Sequence, residues 1–362
     1  MGAVLSNTFS EVHIGEGALA DLSNLLCEEF SASKKFILVD SNTRKHCLPV
    51  LLKFFHESIN YELIEIAAGE EHKSLVSCEK IWKALTAGEI DKHSVIISLG
   101  GGMIGDLGGF SAATILRGVK HIQVPTSLLA MVDASAGGKT GINLSGLKNQ
   151  VGTFSHPLAI YIYQPFLNTL PERDFNSGLA EIAKHALIAD AELWESFRKK
   201  KTFDDEDIRQ FVLRSIEIKS GFVAMDEKDL RERHALNFGH TIGHAIEAFS
   251  LAKYELAFLH GEAVAVGMIA ESYLSEIVSG LPTHEAEEIV NCLASRYHYL
   301  NFDFEPTQLM PYIKHDKKNK NSIPDFTLLP SIGSVKINQH TSEENIEIAI
   351  RKTRNLFLNP VV

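Results

Sequence analysis

The segment NFGHTIGHAIE (237–247) sets His240 and His244 four residues apart, the interval that brings two side chains onto one face of a helix. Glu181 and Lys184 fall on a second helical pattern, and His260 stands just before a third. Two imidazoles and one carboxylate make a common catalytic zinc set, with a coordination position left for substrate. Spacing leaves open which two of the three histidines bind metal and which handles protons. It also leaves open the plainer reading, a pair of helix histidines satisfied by hydrogen bonds.

A second chemical signal is SVIISLGGGMIGDLGGF (94–110), a strand, a glycine cluster and a helix in which Gly100, Gly102 and Gly105 satisfy GxGxxG. Such a turn lets backbone N–H groups at the helix start approach a pyrophosphate; the plainer alternative is a tight βα turn with no ligand. The acid expected about 20 residues later is missing, and HIQVPTS stands there. The earlier strand FILVD instead ends in Asp40, followed by Ser41 and Asn42, which suit a ribose or adenine edge, and GEEHK (69–73) can help from a neighbouring loop. A nicotinamide dinucleotide in a variant arrangement is the expectation. DASAGGKTG (133–141) is only superficially a P-loop, because Asp133 stands where GxxxxGK[ST] needs glycine.

Arg117, Lys139, Lys148, Asn149, Lys184, Lys219, Arg233, Asn237, Lys317 and Lys318 lie in or beside these segments. If they converge they form a positive pocket for a small polyanionic metabolite; if not, most are surface ion-pair partners worth little each.

These groups need a scaffold. Up to about residue 170, β-branched runs (34–40, 61–67, 93–100, 121–125, 159–163) alternate with helical patterns (17–30, 73–88), which reads as βαβ units and a largely parallel sheet. Beyond LPERD (170–174) the apolar spacing is helical over 178–200, 205–224, 240–251, 261–280, 284–298 and 342–357, and only 326–337 looks extended. The chain has 362 residues and a net charge of −11, a balance that argues against a general nucleic-acid binder. Its four cysteines form no CxxC pair, so a reducing cytoplasm is expected. No apolar run approaches the roughly 20 residues of a membrane span.

GGGMIGDLGGF, LRG, VPTSLLAMVDASAGGKTGIN, LKNQVGTF, GLAEIAKHALI, LNFGHTIGHAIE, HGEAVAVGM and HDKK occur in that order. The set resembles the 3-dehydroquinate synthases, a family of sugar phosphate cyclases. The resemblance implies an α/β N-terminal nucleotide-binding domain (1–170) with a largely parallel sheet, a mainly α-helical C-terminal domain (171–362), an active site between them, and a homodimer. It implies NAD+ along Gly101, Gly102, Met103, Ile104, Gly105 and Asp106. Around the cofactor it implies Asp40, Asn42, Glu70, Lys73, Thr126, Ser127, Lys139, Lys148, Phe166 and Thr169. It implies a divalent metal, zinc or else cobalt, on Glu181, His240 and His260, which leaves His244 for catalysis or phosphate contact. Asp133, Lys139, Lys148, Asn149, Lys184, Lys219, Arg233, Asn237 and Lys317 or Lys318 would surround a sugar phosphate, with Arg117 reaching across the dimer.

The reaction implied is conversion of a heptulosonate 7-phosphate to 3-dehydroquinate and phosphate, by transient oxidation, β-elimination, re-reduction and aldol closure. Rivals are another cyclase of the inosose or valiolone type, a metal- and NAD-dependent alcohol dehydrogenase, and a non-catalytic regulator on the same fold. Three departures from the family pattern stand out. Asp229 replaces a Glu four residues before Arg233, DLRER replaces a glycine-containing stretch, and SLAKYELAF (250–258) should form an extended loop before His260.

Overall fold

Residues 3–6, 9–145, 147–314 and 323–359 are described by the computed structural model, in which the chain divides into two units. One is Met1–Phe175 with Asp205–Ile216, the other Asn176–Asp204 with Glu217–Val362.

The strands of the first unit are β1 (Ala3–Ser6), β2 (Glu11–Ile14), β3 (Lys35–Asp40), β4 (Glu62–Ile66), β5 (Val95–Gly100), β6 (Lys120–Pro125), β7 (Lys139–Leu144), β8 (Leu147–Phe154) and β9 (Ala159–Ile162). Its helices are α1 (Ala18–Glu28), α2 (Ser41–His46), α3 (Leu48–Leu52), α4 (Leu75–Ala87) and α5 (Gly102–Thr114). Seven strands form one sheet in the order β1-β2-β9-β6-β5-β3-β4, parallel throughout except where β1 pairs antiparallel with β2. Every residue of β3 and β5 is buried, as expected of apolar runs without alternation in a parallel sheet. Asp40 pairs with Ile66 and Gly100 with Pro125. The strand ends that precede Ser41, Gly101 and Thr126 are therefore carboxyl ends, where open α/β sheets bind ligands.

Ile104 and Leu107 of α5 pack with Phe36, Leu38 and Ile96. Each fully buried side chain of this size contributes about 1.5–3 kcal/mol, so packing anchors α5 by its apolar residues. The β1–β2 hairpin and the β7–β8 ribbon lie outside the expected strands. β1 and β2 have four residues each, and β8 is mostly exposed, so neither shows an apolar period.

In the second half of the chain the elements are α6 (Glu172–Ala189), α7 (Ala191–Arg198), α8 (Asp205–Met225), α9 (His240–Lys253), α10 (His260–Val278), α11 (Thr283–Arg296), α12 (Pro306–Lys314), the β10 (Phe326–Ser331) and β11 (Ser334–Gln339) hairpin, and α13 (Glu343–Leu358). The expected single helix over 178–200 is broken at Asp190, whose carboxylate accepts from Leu193 N at 2.9 Å and starts a new helix. Residues 250–253 of SLAKYELAF are the last turn of α9, so the connection to His260 is shorter than the expected loop. Every residue from 261 to 272 is buried, making α10 the central helix of its unit. Its alanine-rich faces meet α9, α11, α13 and β10.

Candidate functional site

In the second unit the histidine motif works through its glycines first. A Cβ on Gly243 would lie 3.0 Å from Ala263 O and 3.1 Å from Val264 Cα, so α9 and α10 cross nearly backbone to backbone. Gly239 has φ +77°, a left-handed conformation that favours glycine. Glu271 of α10, fully buried, accepts from Gly239 N at 2.7 Å and Ile242 N at 3.0 Å. A carboxylate there both satisfies donors that the helix cannot and complements the helix dipole. His240 is thus the first residue of a capped helix, facing the first residue of α10, His260.

The three imidazoles cluster, with ring centroids 5.2 Å apart for His240–His244, 5.5 Å for His240–His260 and 6.0 Å for His244–His260. Glu181 of α6 is buried and ion-paired with Lys184, one turn on. Its Oε1 lies 3.6 Å from Nε2 of His240 and 3.5 Å from Nε2 of His260. His240 Nδ1 is 3.1 Å from the Phe238 carbonyl, which can only accept, so that nitrogen carries the hydrogen and Nε2 keeps its lone pair. Burial pulls the His260 pKa down, but the Glu247 and Glu181 carboxylates outweigh it and raise the pKa to about 10.

The cluster therefore favours positive charge beside Glu181. One donor atom each from Glu181, His240 and His260 lies within 4.8 Å of the others. Two imidazoles and a carboxylate at this spacing fit a divalent ion of the zinc type. A second set, His244, Glu247 and His260, meets the same distance.

Lys219 on α8 and Arg233 are buried cations of the same unit. Arg233 donates to the Glu227 carbonyl at 2.9 Å. Its loop is wound round Asp226, which accepts from the backbone N–H of Leu230, Arg231 and Arg233. Asp229, the departure noted above, has φ +60°, and its carbonyl lies 3.2 Å from His234 Nε2. Asn237 ends the 3-10 turn Glu232–Asn237, three residues before His240. Lys317 and Lys318 lie outside the described residues.

In the first unit β5 runs through Gly100 into α5, whose N-cap residue is Gly101, with no side chain of its own to cap the helix. Its first-turn N–H groups are available to an anionic group. A Cβ on Gly105 would come 2.7 Å from Gln123 Oε1, so a larger residue would displace the buried Gln123 amide that donates to the Gly105 carbonyl. Ile104 points into the core, while Gly101, Gly102, Met103 and Asp106 are only partly buried. Four expected residues meet directly or through one neighbour. Lys73 Nζ lies 2.5 Å from Asp106 Oδ2 and 2.6 Å from Asn149 Oδ1, while Asn143 donates to Glu70 and accepts from Asn149 N.

Asp40 caps α2, accepting from Thr43 N at 2.8 Å, and Asn42 is exposed beside it. Thr126 is buried, and its N–H donates to the Gly100 carbonyl. Ser127 Oγ accepts from Ala130 N. Phe166 is buried beside Tyr163, and the exposed Thr169 donates to the Phe166 carbonyl. Asp133 sits in the π-turn Ala130–Ala134. Lys139 opens β7 exposed, Lys148 on β8 is half-buried, and Arg117 is exposed in a turn where Leu116, Arg117 and Gly118 all have positive φ.

Asn143, Asp226, Glu247 and Glu271 were not singled out from sequence. Glu247 had a signal, because it lies three residues after His244 and seven after His240, on their helix face. Glu271 and Asn143 had none, because their partners are remote in sequence.

The 3-dehydroquinate synthase N-terminal family model matches residues 63–177, and the 3-dehydroquinate synthase C-terminal model matches residues 178–319. A 3-dehydroquinate synthase of Parabacteroides distasonis is 41% identical over 318 residues, 86% of this chain and 89% of that protein. One from Clostridium botulinum is 40% identical over 327 residues, 88% and 92% of the two chains. Among solved structures, a 2-epi-5-epi-valiolone synthase from Streptomyces hygroscopicus, with NAD+ and Zn2+ bound, superposes with a TM-score of 0.85 at 24% identity. That match covers 97% of this chain and 98% of the other.

Proposed function

This chain belongs to the 3-dehydroquinate synthase family, a lyase family, and we propose that it converts 3-deoxy-D-arabino-heptulosonate 7-phosphate to 3-dehydroquinate and phosphate. The observation that carries the reading is the donor set of Glu181, His240 and His260 in a chain 41% identical to a curated relative of that activity. The relatives at 40–41% identity are 3-dehydroquinate synthases, whereas the valiolone synthase stands at 24%. The rival cyclase reading is not favoured.

When bound, NAD+ supplies a reversible hydride acceptor, and a divalent metal, zinc by the donor types, supplies Lewis acidity toward a substrate hydroxyl. The chain's own residues do the rest. The α5 N-terminus would offer Gly101–Asp106 backbone donors to the pyrophosphate, and Asp40, Asn42, Thr126, Ser127, Phe166 and Thr169 would hold the rest of the cofactor. Lys73, held by Asp106 and Asn149, fixes the loop that carries Glu70. Glu181, His240 and His260 would hold the metal, and Lys184 offsets the charge of Glu181.

Lys139, Lys148, Asn149, Lys219, Arg233, Asn237 and His244 bind the carboxylate and phosphate and stabilise the enolate as charge develops. Preorganised donors of this kind each contribute about 10²–10³ in turnover. Arg117 serves a neighbouring subunit of a cytoplasmic homodimer. Among the described residues no helix is long and apolar enough to cross a membrane.

The test is phosphate release from the heptulosonate substrate with NAD+, followed alongside NADH absorbance, with and without a chelator. The expected result is stoichiometric phosphate with no net NADH, lost on chelation and reduced at least about 100-fold in His240→Ala. Accumulating NADH without phosphate would identify a dehydrogenase, and wild-type turnover by a folded His240→Ala would remove the metal role.

A further inference from the structure

Glu247 is buried on α9, and its Oε2 lies 3.2 Å from Nδ1 of His260. We propose that Glu247 is a positioning residue that holds His260 as the Nδ1–H tautomer, with Nε2 turned toward Glu181, and thereby sets the metal affinity of the site. The proposal rests on the reading of Glu181, His240 and His260 as metal ligands.

An ionised carboxylate only accepts, so the ring nitrogen facing it carries the hydrogen. A ligating imidazole gives up one of its two hydrogens to the metal; with the Nδ1 hydrogen held by Glu247, the proton displaced is the one on Nε2, the atom 3.5 Å from Glu181 Oε1. His240 repeats the arrangement with a different acceptor, Nδ1 on the Phe238 carbonyl and Nε2 3.6 Å from the same Glu181 oxygen. Two imidazoles from two helices thus have Nδ1 engaged and Nε2 directed at one carboxylate, the arrangement in which an outer partner orients a ligating histidine.

The backbone at His260 is secured by other contacts. Leu259 N donates to Glu262 at 2.7 Å, and Gly261 N donates to Ser177 Oγ on α6 at 3.0 Å. What those contacts leave undetermined is the rotation of the imidazole, and Glu247 determines it. The competing set, His244, Glu247 and His260, would make Glu247 a ligand and bind through the opposite nitrogen of His260. It would leave the convergence of His240 on Glu181 unused.

The full-length chain, stripped of metal, is titrated with Zn2+ against a chromophoric chelator. Glu247→Ala weakens Zn2+ binding about 10–100-fold, and Glu247→Gln, which keeps an oxygen for Nδ1–H, restores it to within about 5-fold of the parent. His244→Ala binds Zn2+ as the parent does. If Glu247→Ala does not fold, Glu247→Met takes its place in the comparison. Parental affinity in Glu247→Ala alongside impairment in Glu181→Gln overturns the positioning role and leaves the metal reading standing. Parental affinity in Glu181→Gln removes the metal reading itself. Equal damage in Glu247→Gln and Glu247→Ala, together with His244→Ala, makes Glu247 a ligand and overturns the proposal.

Discussion

Replacing Glu271 by Gln tests how α10 holds the histidine-bearing end of α9. The carboxylate is fully buried and accepts from Gly239 N at 2.7 Å and Ile242 N at 3.0 Å. An amide keeps one acceptor oxygen and turns an NH2 toward the other donor. One hydrogen bond to a charged group, worth about 1.5–3 kcal/mol, is lost, and the other falls to the neutral range of about 0.5–1.5 kcal/mol. Together with part of the helix-dipole interaction, the expected destabilisation is about 3 kcal/mol. At about 2–4 °C per kcal/mol for a unit of this size, the melting temperature falls by about 6–12 °C. Scanning calorimetry of the full chain in chelator separates this loss from any change in metal binding. Glu271→Leu, which leaves both N–H groups unsatisfied, should melt lower still. A Glu271→Gln melting temperature within about 1 °C of the parent, or a Leu variant as stable as the Gln variant, would refute the capping argument.

Two further outcomes follow from buried groups in the first unit. Lys73→Met leaves Asp106 and Asn149 without their cation, which should cost about 3–5 kcal/mol in denaturant unfolding. Lys73→Met/Asp106→Leu should recover most of that stability, but not NAD+ affinity by calorimetric titration; if the double variant binds NAD+ as the parent does, Lys73 has no cofactor role. His121 on β6 is buried with neither ring nitrogen hydrogen-bonded among the described residues, and burial lowers its pKa to about 4. With the folded value below the unfolded one of about 6.5, its contribution is present above pH 6.5 and is lost as pH falls toward 4, by up to about 3 kcal/mol. His121→Leu should flatten the stability profile between about pH 6.5 and 4, and an unchanged slope there counts against a neutral buried His121.

Much of the scaffold was legible because its signals are local. Unbroken β-branched runs marked β3 and β5, and helical spacing marked α9 and α10 to within two residues at their starts. The β1–β2 hairpin and β7–β8 ribbon were not legible, because four-residue strands and a mostly exposed strand carry no hydrophobic period. Asp190 looked like part of one helix because apolar spacing continues through it, while its cap to Leu193 is a matter of backbone geometry.

At the candidate site the division is sharper. By itself the sequence determined the residue types, the shared helix face of His240 and His244, and the glycines that permit close approach, since all of these are set by neighbours within a turn or two. It could not say which imidazole nitrogens converge. That depends on where α9 crosses α10, and on acceptors as far apart in the chain as Glu181, Phe238 and Glu247. Only tertiary packing brings such groups within hydrogen-bond range, and a tautomer is chosen by what lies within that range.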